Sequence, residues 1–143
     1  MGDPTVNFRN CIQRGEWVEM RFMARAAEEG LHVSKPFSEA VPYDFIVEHS
    51  ARCLRVQVKS TIQLRRGHMC AVHRTSGKRY LSNSFDVAAV YLVLVDVWYI
   101  VPAEVLGSHR SMFLNPGIKT SKYARYEEAW HLLRVDPVSQ LRT

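Results

Sequence analysis

The hydrophobic pattern of the chain changes period once near its start. Residues 16–29 read E-W-V-E-M-R-F-M-A-R-A-A-E-E, a run of strong helix formers that closes on Gly30. It predicts a helix over Gly15–Glu29, with a start that could reach back toward Asn7. Within it, Met20, Met23, Ala24 and Ala27 recur at helical spacing and predict an apolar stripe facing the core. Glu16 and Glu19 lie three apart, on one face beside that stripe. The period then drops to two. Leu31–Lys35 predicts a short strand stopped by Pro36, and Tyr43–Glu48 predicts a second. Leu54, Val56 and Val58 alternate with Arg55, Gln57 and Lys59, as a strand with one apolar and one polar face requires. Met69–Arg74 predicts a fourth strand. Ala88–Val95 and Trp98–Val101 are continuously apolar and predict buried strands around a turn at Asp96. Pro102–Gly107 predicts one helical turn. Ser121–Arg134 predicts a last helix with Tyr126, Trp130 and Leu133 on one face. Helix, strands, helix is the order of an α/β or α+β protein with a central sheet.

Composition narrows the class. The chain has 143 residues, 47% of them hydrophobic and 23% charged, which suits one globular domain spanning residues 1–143. The apolar run Ala88–Val101 is too short for a bilayer and carries Asp96. Met1–Arg14 is polar and charged, unlike a secretory leader. Three scattered cysteines, Cys11, Cys53 and Cys70, argue against a disulfide framework or a zinc ribbon. The expectation is a cytoplasmic, non-secreted, membrane-free protein.

Charge points to a partner. Up to Thr61 there are eight basic and eight acidic residues; from Ile62 there are eleven and six, so the second part carries the whole net charge of +5. The excess gathers at Arg65-Arg66, Arg74-Lys78-Arg79 and Lys119-Lys122-Arg125. A basic half beside a neutral half suits a polyanion such as nucleic acid.

Candidate chemistry sits on the two middle strands. A hairpin with His49–Arg52 as its loop pairs Glu48 with Cys53, Val47 with Leu54 and Phe45 with Val56. Asp44 then opposes Gln57, their side-chain roots about 5 Å apart. Lys59 follows on the same face, about 6.6 Å along the strand. A carboxylate, an amide oxygen and an ammonium meet there, and the helix with Glu16 and Glu19 could pack over the edge. Such a set suits a hard divalent cation, because Mg²⁺ takes oxygen ligands and keeps several waters. The plainer alternatives are a solvent-facing sheet surface or a satisfied polar cluster.

The strings G-E-W-V-E (15–19), Pro36, P-Y-D-F-I-V (42–47) and R-V-Q-V-K-S (55–60) resemble the PD-(D/E)xK nuclease superfamily. More narrowly they resemble its branch with glutamine at the second acidic position. That branch holds the bacterial PD-(D/E)xK endonucleases that include group I intron-encoded homing endonucleases. F-D-V-A-A-V-Y (85–91), W-Y-I-V-P (98–102) and K-Y-A-R-Y-E-E-A-W (122–130) are similar to the second half of that family. The resemblance covers about Arg14–Arg134. It implies a restriction-endonuclease-like α/β core, a central mixed sheet flanked by helices. It also implies a metal-dependent DNA endonuclease of homing or restriction-like type. Glu19 matches the helix glutamate and Asp44 the metal-binding aspartate. Gln57 stands at the second acidic position, the Val58 carbonyl would be a further metal ligand, and Lys59 is the motif lysine. The implied cofactor is Mg²⁺, with Mn²⁺ as a substitute. Tyr43 stands where the signature has proline, and neutral Gln57 removes one negative charge from the site.

Arg55, Ser60, Arg65, Arg66, Arg74, Lys78 and Arg79 are the candidate contacts to double-stranded DNA, with Thr61 as a weaker one. Arg55 could instead pair with Glu48. His73 and His109 lack ligand partners at useful spacing. Trp98, Tyr99 and Trp130 are expected in the core. One site cuts one strand, so duplex cleavage implies a homodimer or homotetramer, for which the apolar late strands offer interface material. Two other readings stay open: a Holliday-junction-resolvase-like nuclease, and a catalytically inactive DNA-binding homologue.

Overall fold

The computed structural model describes residues 5–64, 67–72, 84–107 and 109–134. Helix α1 spans Cys11–Glu28 and starts four residues before Gly15, because the Asn10 side chain caps the Ile12 and Gln13 amides. Its buried face is Val18, Phe22 and Ala26, spaced four apart, not the predicted stripe. Met20 and Met23 are 56% and 38% exposed. Both sets have helical spacing, and the aromatic ring decided between them. Phe22 stacks on Phe45 at 5.3 Å and lies 5.8 Å from Trp130. Losing a buried ring of this kind costs about 3–5 kcal/mol.

Seven strands follow: β1 (His32–Ser34), β2 (Phe45–His49), β3 (Arg52–Thr61), β4 (His68–Ala71), β5 (Val87–Leu92), β6 (Val97–Pro102) and β7 (Ser111–Leu114). A short helix α2 (Ala103–Leu106) lies between β6 and β7. Five strands form one mixed sheet in the order β1-β2-β3-β5-β6, in which only β3 and β5 run parallel. The α/β expectation holds, with a central mixed sheet. β4 does not join it. It pairs with β7, which the sequence pattern did not predict, in a separate two-stranded ribbon.

The sheet is buried on both faces, which explains the all-apolar run of β5. Val87, Ala89 and Tyr91 join the core under α1, with Val18, Phe22, Trp98 and Trp130. Ala88, Val90 and Leu92 join the core under the ribbon, with Cys70, Met112 and Leu114. β5 is therefore covered by its own chain and is not interface material, a correction of that expectation. Trp98, Tyr99 and Trp130 are core residues, as expected.

The predicted last helix is a second correction. The segment forms two 3₁₀ turns, Ala124–Tyr126 and Trp130–Leu133, and breaks between them. β6 is an edge strand, and its free polar groups recruit the break. The Glu128 amide donates to the Trp98 carbonyl at 2.7 Å, and the Glu128 carboxylate accepts from the Trp98 amide at 3.0 Å. Glu127 forms a bridge to Tyr99, and Glu128 takes a positive φ of 50°.

The β2–β3 register is as expected: Glu48 faces Cys53, Val47 faces Leu54 and Phe45 faces Val56. The loop is shorter than expected. His49 and Arg52 pair, leaving Ser50 and Ala51 as a two-residue turn with φ values of 49° and 66°. Two positive φ values are the mark of a type I′ turn, which matches strand twist but strains a residue with a Cβ. Ala51→Gly should therefore stabilise the fold by about 1 kcal/mol. The expected result is a higher urea midpoint at unchanged slope; an unmoved or lower midpoint would contradict the strained-turn account.

Candidate active site

Asp44 is positioned by its place just before β2. Its amide donates to the Val56 carbonyl at 2.9 Å, which extends the ladder by one bond. Its carboxylate Oδ2 accepts the Val58 amide at 2.7 Å, where β2 no longer supplies a backbone partner. Asp44 and β3 are thus tied together twice.

Gln57 and Lys59 stand on the β3 face that carries Arg55, while Val56 and Val58 pack into the core under α1. The Gln57 Nε2 donates to the Val58 carbonyl at 3.4 Å. An amide end can turn over, which exchanges its nitrogen for its oxygen. In that orientation Gln57 Oε1, the Val58 carbonyl and the Asp44 carboxylate are three oxygens gathered at one residue, Val58. Lys59 is half-buried, and its charge acts on the Asp44 carboxyl.

Glu19 arrives from the other side of the sheet, on α1. Phe22 sits three residues further on the same helix, and its stack on Phe45 holds Glu19 near Asp44, the neighbour of Phe45. Glu19 is 27% exposed in its side chain and ion-paired with Lys35, Nζ to Oε1 at 2.7 Å. Glu16 is exposed.

Burial is the main force on the Asp44 carboxyl and pushes its pKa up. The Val58 amide pulls it down, the Glu19 charge pushes it up again, and Lys35 and Lys59 pull it down; the net shift is upward. A partly desolvated carboxylate beside a second one favours a cation. Among the described residues there is no cluster of three or more His, Cys, Asp or Glu side chains able to hold a metal. The available donors are oxygens only: one or two carboxylates, an amide and a carbonyl. That donor set fits a hard, water-keeping divalent ion and does not fit zinc.

Other predicted contacts fare differently. Arg55 pairs with Asp86 rather than Glu48. Its Nε and Nη2 both lie 3.2 Å from the Asp86 carboxylate, which also accepts the Arg55 amide at 2.8 Å. Burial raises the Asp86 pKa, but these Arg55 contacts outweigh it and hold the carboxyl below its usual range. Ser60 accepts from Arg14 Nε at 3.2 Å. Thr61 is buried and its hydroxyl donates to the Met69 carbonyl at 2.6 Å, so it does not face a ligand. Arg65, Arg66, Arg74, Lys78, Arg79 and His73 lie outside the described residues. His109 is exposed. No described helix is long and apolar enough to cross a membrane.

Two basic residues of this region escaped the sequence reading. Arg14 reaches Ser60 from the first turn of α1. Lys35 reaches Glu19 because Ser34 pairs with Ile46, which sets the next residue beside Phe45. The only local signal for Lys35 was its place before Pro36, and the β1–β2 register was needed to give that a direction.

A family model described as PD-(D/E)XK endonuclease matches residues 10–133. Among solved structures, the chain is similar to a bacterial homing endonuclease, I-Ssp6803I, at 26% identity and a TM-score of 0.72. That match covers 83% of this chain and 89% of the other. No curated protein matches.

Because the Asp44 pKa is raised on folding, its contribution favours the fold fully below its ordinary value of 3.8 and is lost as pH rises through the higher folded value. Asp44→Asn should therefore raise the melting temperature of the metal-free protein at pH 7. The gain should vanish below about pH 3.8, where the unfolded chain is also protonated. Thermal melts at both pH values check this; an equal or lower melting temperature at pH 7 would contradict it.

Proposed function

The chain belongs to the PD-(D/E)XK endonuclease family, and we propose that it is a Mg²⁺-dependent endonuclease that hydrolyses phosphodiester bonds of double-stranded DNA. The observation that carries this reading is the meeting of the Asp44 carboxylate and the Gln57 amide at one residue of β3, Val58, the first at its amide and the second at its carbonyl. In this reading Asp44, Gln57 and the Val58 carbonyl hold the ion, and Glu19 contributes its carboxylate from α1. The ion would supply Lewis acidity and positive charge against the phosphate oxygens. Mn²⁺ shares the preference for oxygen ligands and would substitute.

The protein's own groups do the rest. Lys59 Nζ orients the attacking water and sets its charge against the negative charge that grows on phosphorus. Asp44, fixed by the Val58 amide, keeps its oxygens in place without further ordering. Gln57 carries no charge, so the site binds a cation less tightly than one with a carboxylate there. Arg65, Arg66, Arg74, Lys78 and Arg79 are proposed contacts to the DNA backbone or groove, with Ser60 nearer the cut. Arg55 would contact phosphate only by giving up part of its hold on Asp86.

Homing or restriction-like cleavage is the preferred role, because the similar solved structure is described as a homing endonuclease. Cutting both strands would take two sites, hence a homodimer or homotetramer. Cytoplasmic, nucleoid-associated action would follow from a DNA substrate.

Asp44→Ala and Lys59→Ala should each lower Mg²⁺-dependent plasmid nicking by about a hundredfold or more while the far-ultraviolet dichroism is kept. Full nicking by either variant would overturn the reading. A wild-type protein that binds DNA but never nicks it with Mg²⁺ or Mn²⁺ would favour an inactive DNA-binding role.

A further inference from the structure

The region around Asp44 holds two lysines, and their settings differ. Lys59 is part of β3 and half-buried. Lys35 follows a three-residue edge strand, and its side chain is 63% exposed. Lys35 makes a close ionic contact: its Nζ lies 2.7 Å from Glu19 Oε1 and 5.1 Å from the centre of the Phe45 ring. Its charge also acts on Asp44.

We propose that Lys35 is a stand-in cation, a positioning residue that occupies the Glu19 carboxylate in the resting protein and is exchanged for the divalent ion. The inference rests on the metal site argued above. The Glu19 charge acts against that of the partly buried Asp44 carboxylate. Without a cation the pair is costly, and Lys35 offsets that cost. A divalent ion held by the same Glu19 carboxylate repels the ammonium beside it. Both cannot be held there at close range. Lys35 can leave cheaply, because a mostly exposed ion pair on a flexible stem is worth little. Lys59, built into β3, stays. The ammonium thus keeps Glu19 oriented before the ion arrives and raises the ion concentration needed to fill the site.

The test is Mn²⁺ binding to the full, metal-stripped chain without DNA, followed by calorimetry. Lys35→Met should bind Mn²⁺ roughly threefold to tenfold more tightly than the unmodified chain. Lys35→Gln, a second neutral variant, should do the same. In a Glu19→Gln background, adding Lys35→Met should bring no gain, because the carboxylate that Lys35 blocks is gone. Asp44→Ala should abolish binding in every background. If Asp44→Ala abolishes binding but the two Lys35 variants bind Mn²⁺ equally or more weakly, the stand-in role is overturned and the metal site survives. A gain that persists undiminished with Glu19→Gln also overturns it, since the lysine then acts only through space. If Asp44→Ala binds Mn²⁺ as the unmodified chain does, the metal site fails, and the stand-in role with it.

Discussion

The seating of α1 against the site depends on one aromatic contact, Phe22 of α1 against Phe45 of β2. Phe45 comes directly after Asp44, and Phe22 is one helical turn from Glu19. The stack therefore helps α1 bring Glu19 toward Asp44, whose carboxyl feels the Glu19 charge. Its strength is that of a buried ring pair in a dry core, far above that of any exposed ion pair nearby. The Glu19–Lys35 contact is a consequence of this seating and not its cause.

A second constraint is the stagger between β2 and β3. β3 runs on to Thr61, while its ladder with β2 ends at Val56 opposite Phe45. Beyond that point the backbone of β3 has amides and carbonyls without strand partners on the β2 side. The Asp44 carboxylate takes the Val58 amide, and the Gln57 amide meets the Val58 carbonyl. The polar side chains that would bind an ion are thus the ones that complete an interrupted ladder. Burial raises the pKa of the Asp44 carboxyl there.

Much of this was legible in the residues, for identifiable reasons. A hairpin turning at His49–Arg52 sets the register, and the alternation of residues 54–59 forbids a slip by one, which would expose Val56. That is why the pairing of Phe45 with Val56, and with it the place of Asp44 beside β3, was legible in the residues. The face of α1 could not be read so well. Met20, Met23, Ala24 and Ala27 are as well spaced as Val18, Phe22 and Ala26, and only the aromatic partners Phe45 and Trp130 break the tie. The helix expected over 121–134 failed for a tertiary reason, since its local pattern is helical but Glu127 and Glu128 are drawn to the β6 edge. Lys35 was invisible because its meaning depends on pairing between β1 and β2, which no local pattern encodes.

The strap at Glu127–Glu128 has a consequence beyond its own segment. Sheets with a bare margin tend to grow by adding strands from neighbouring molecules, the route to fibrils. Here the strap meets the β6 margin at Trp98 and Tyr99, and the opposite margin is a three-residue strand soon followed by Pro36. Neither side offers a long template for a stranger's backbone. These two margins of the five-stranded sheet are thereby poor starting points for edge-to-edge growth.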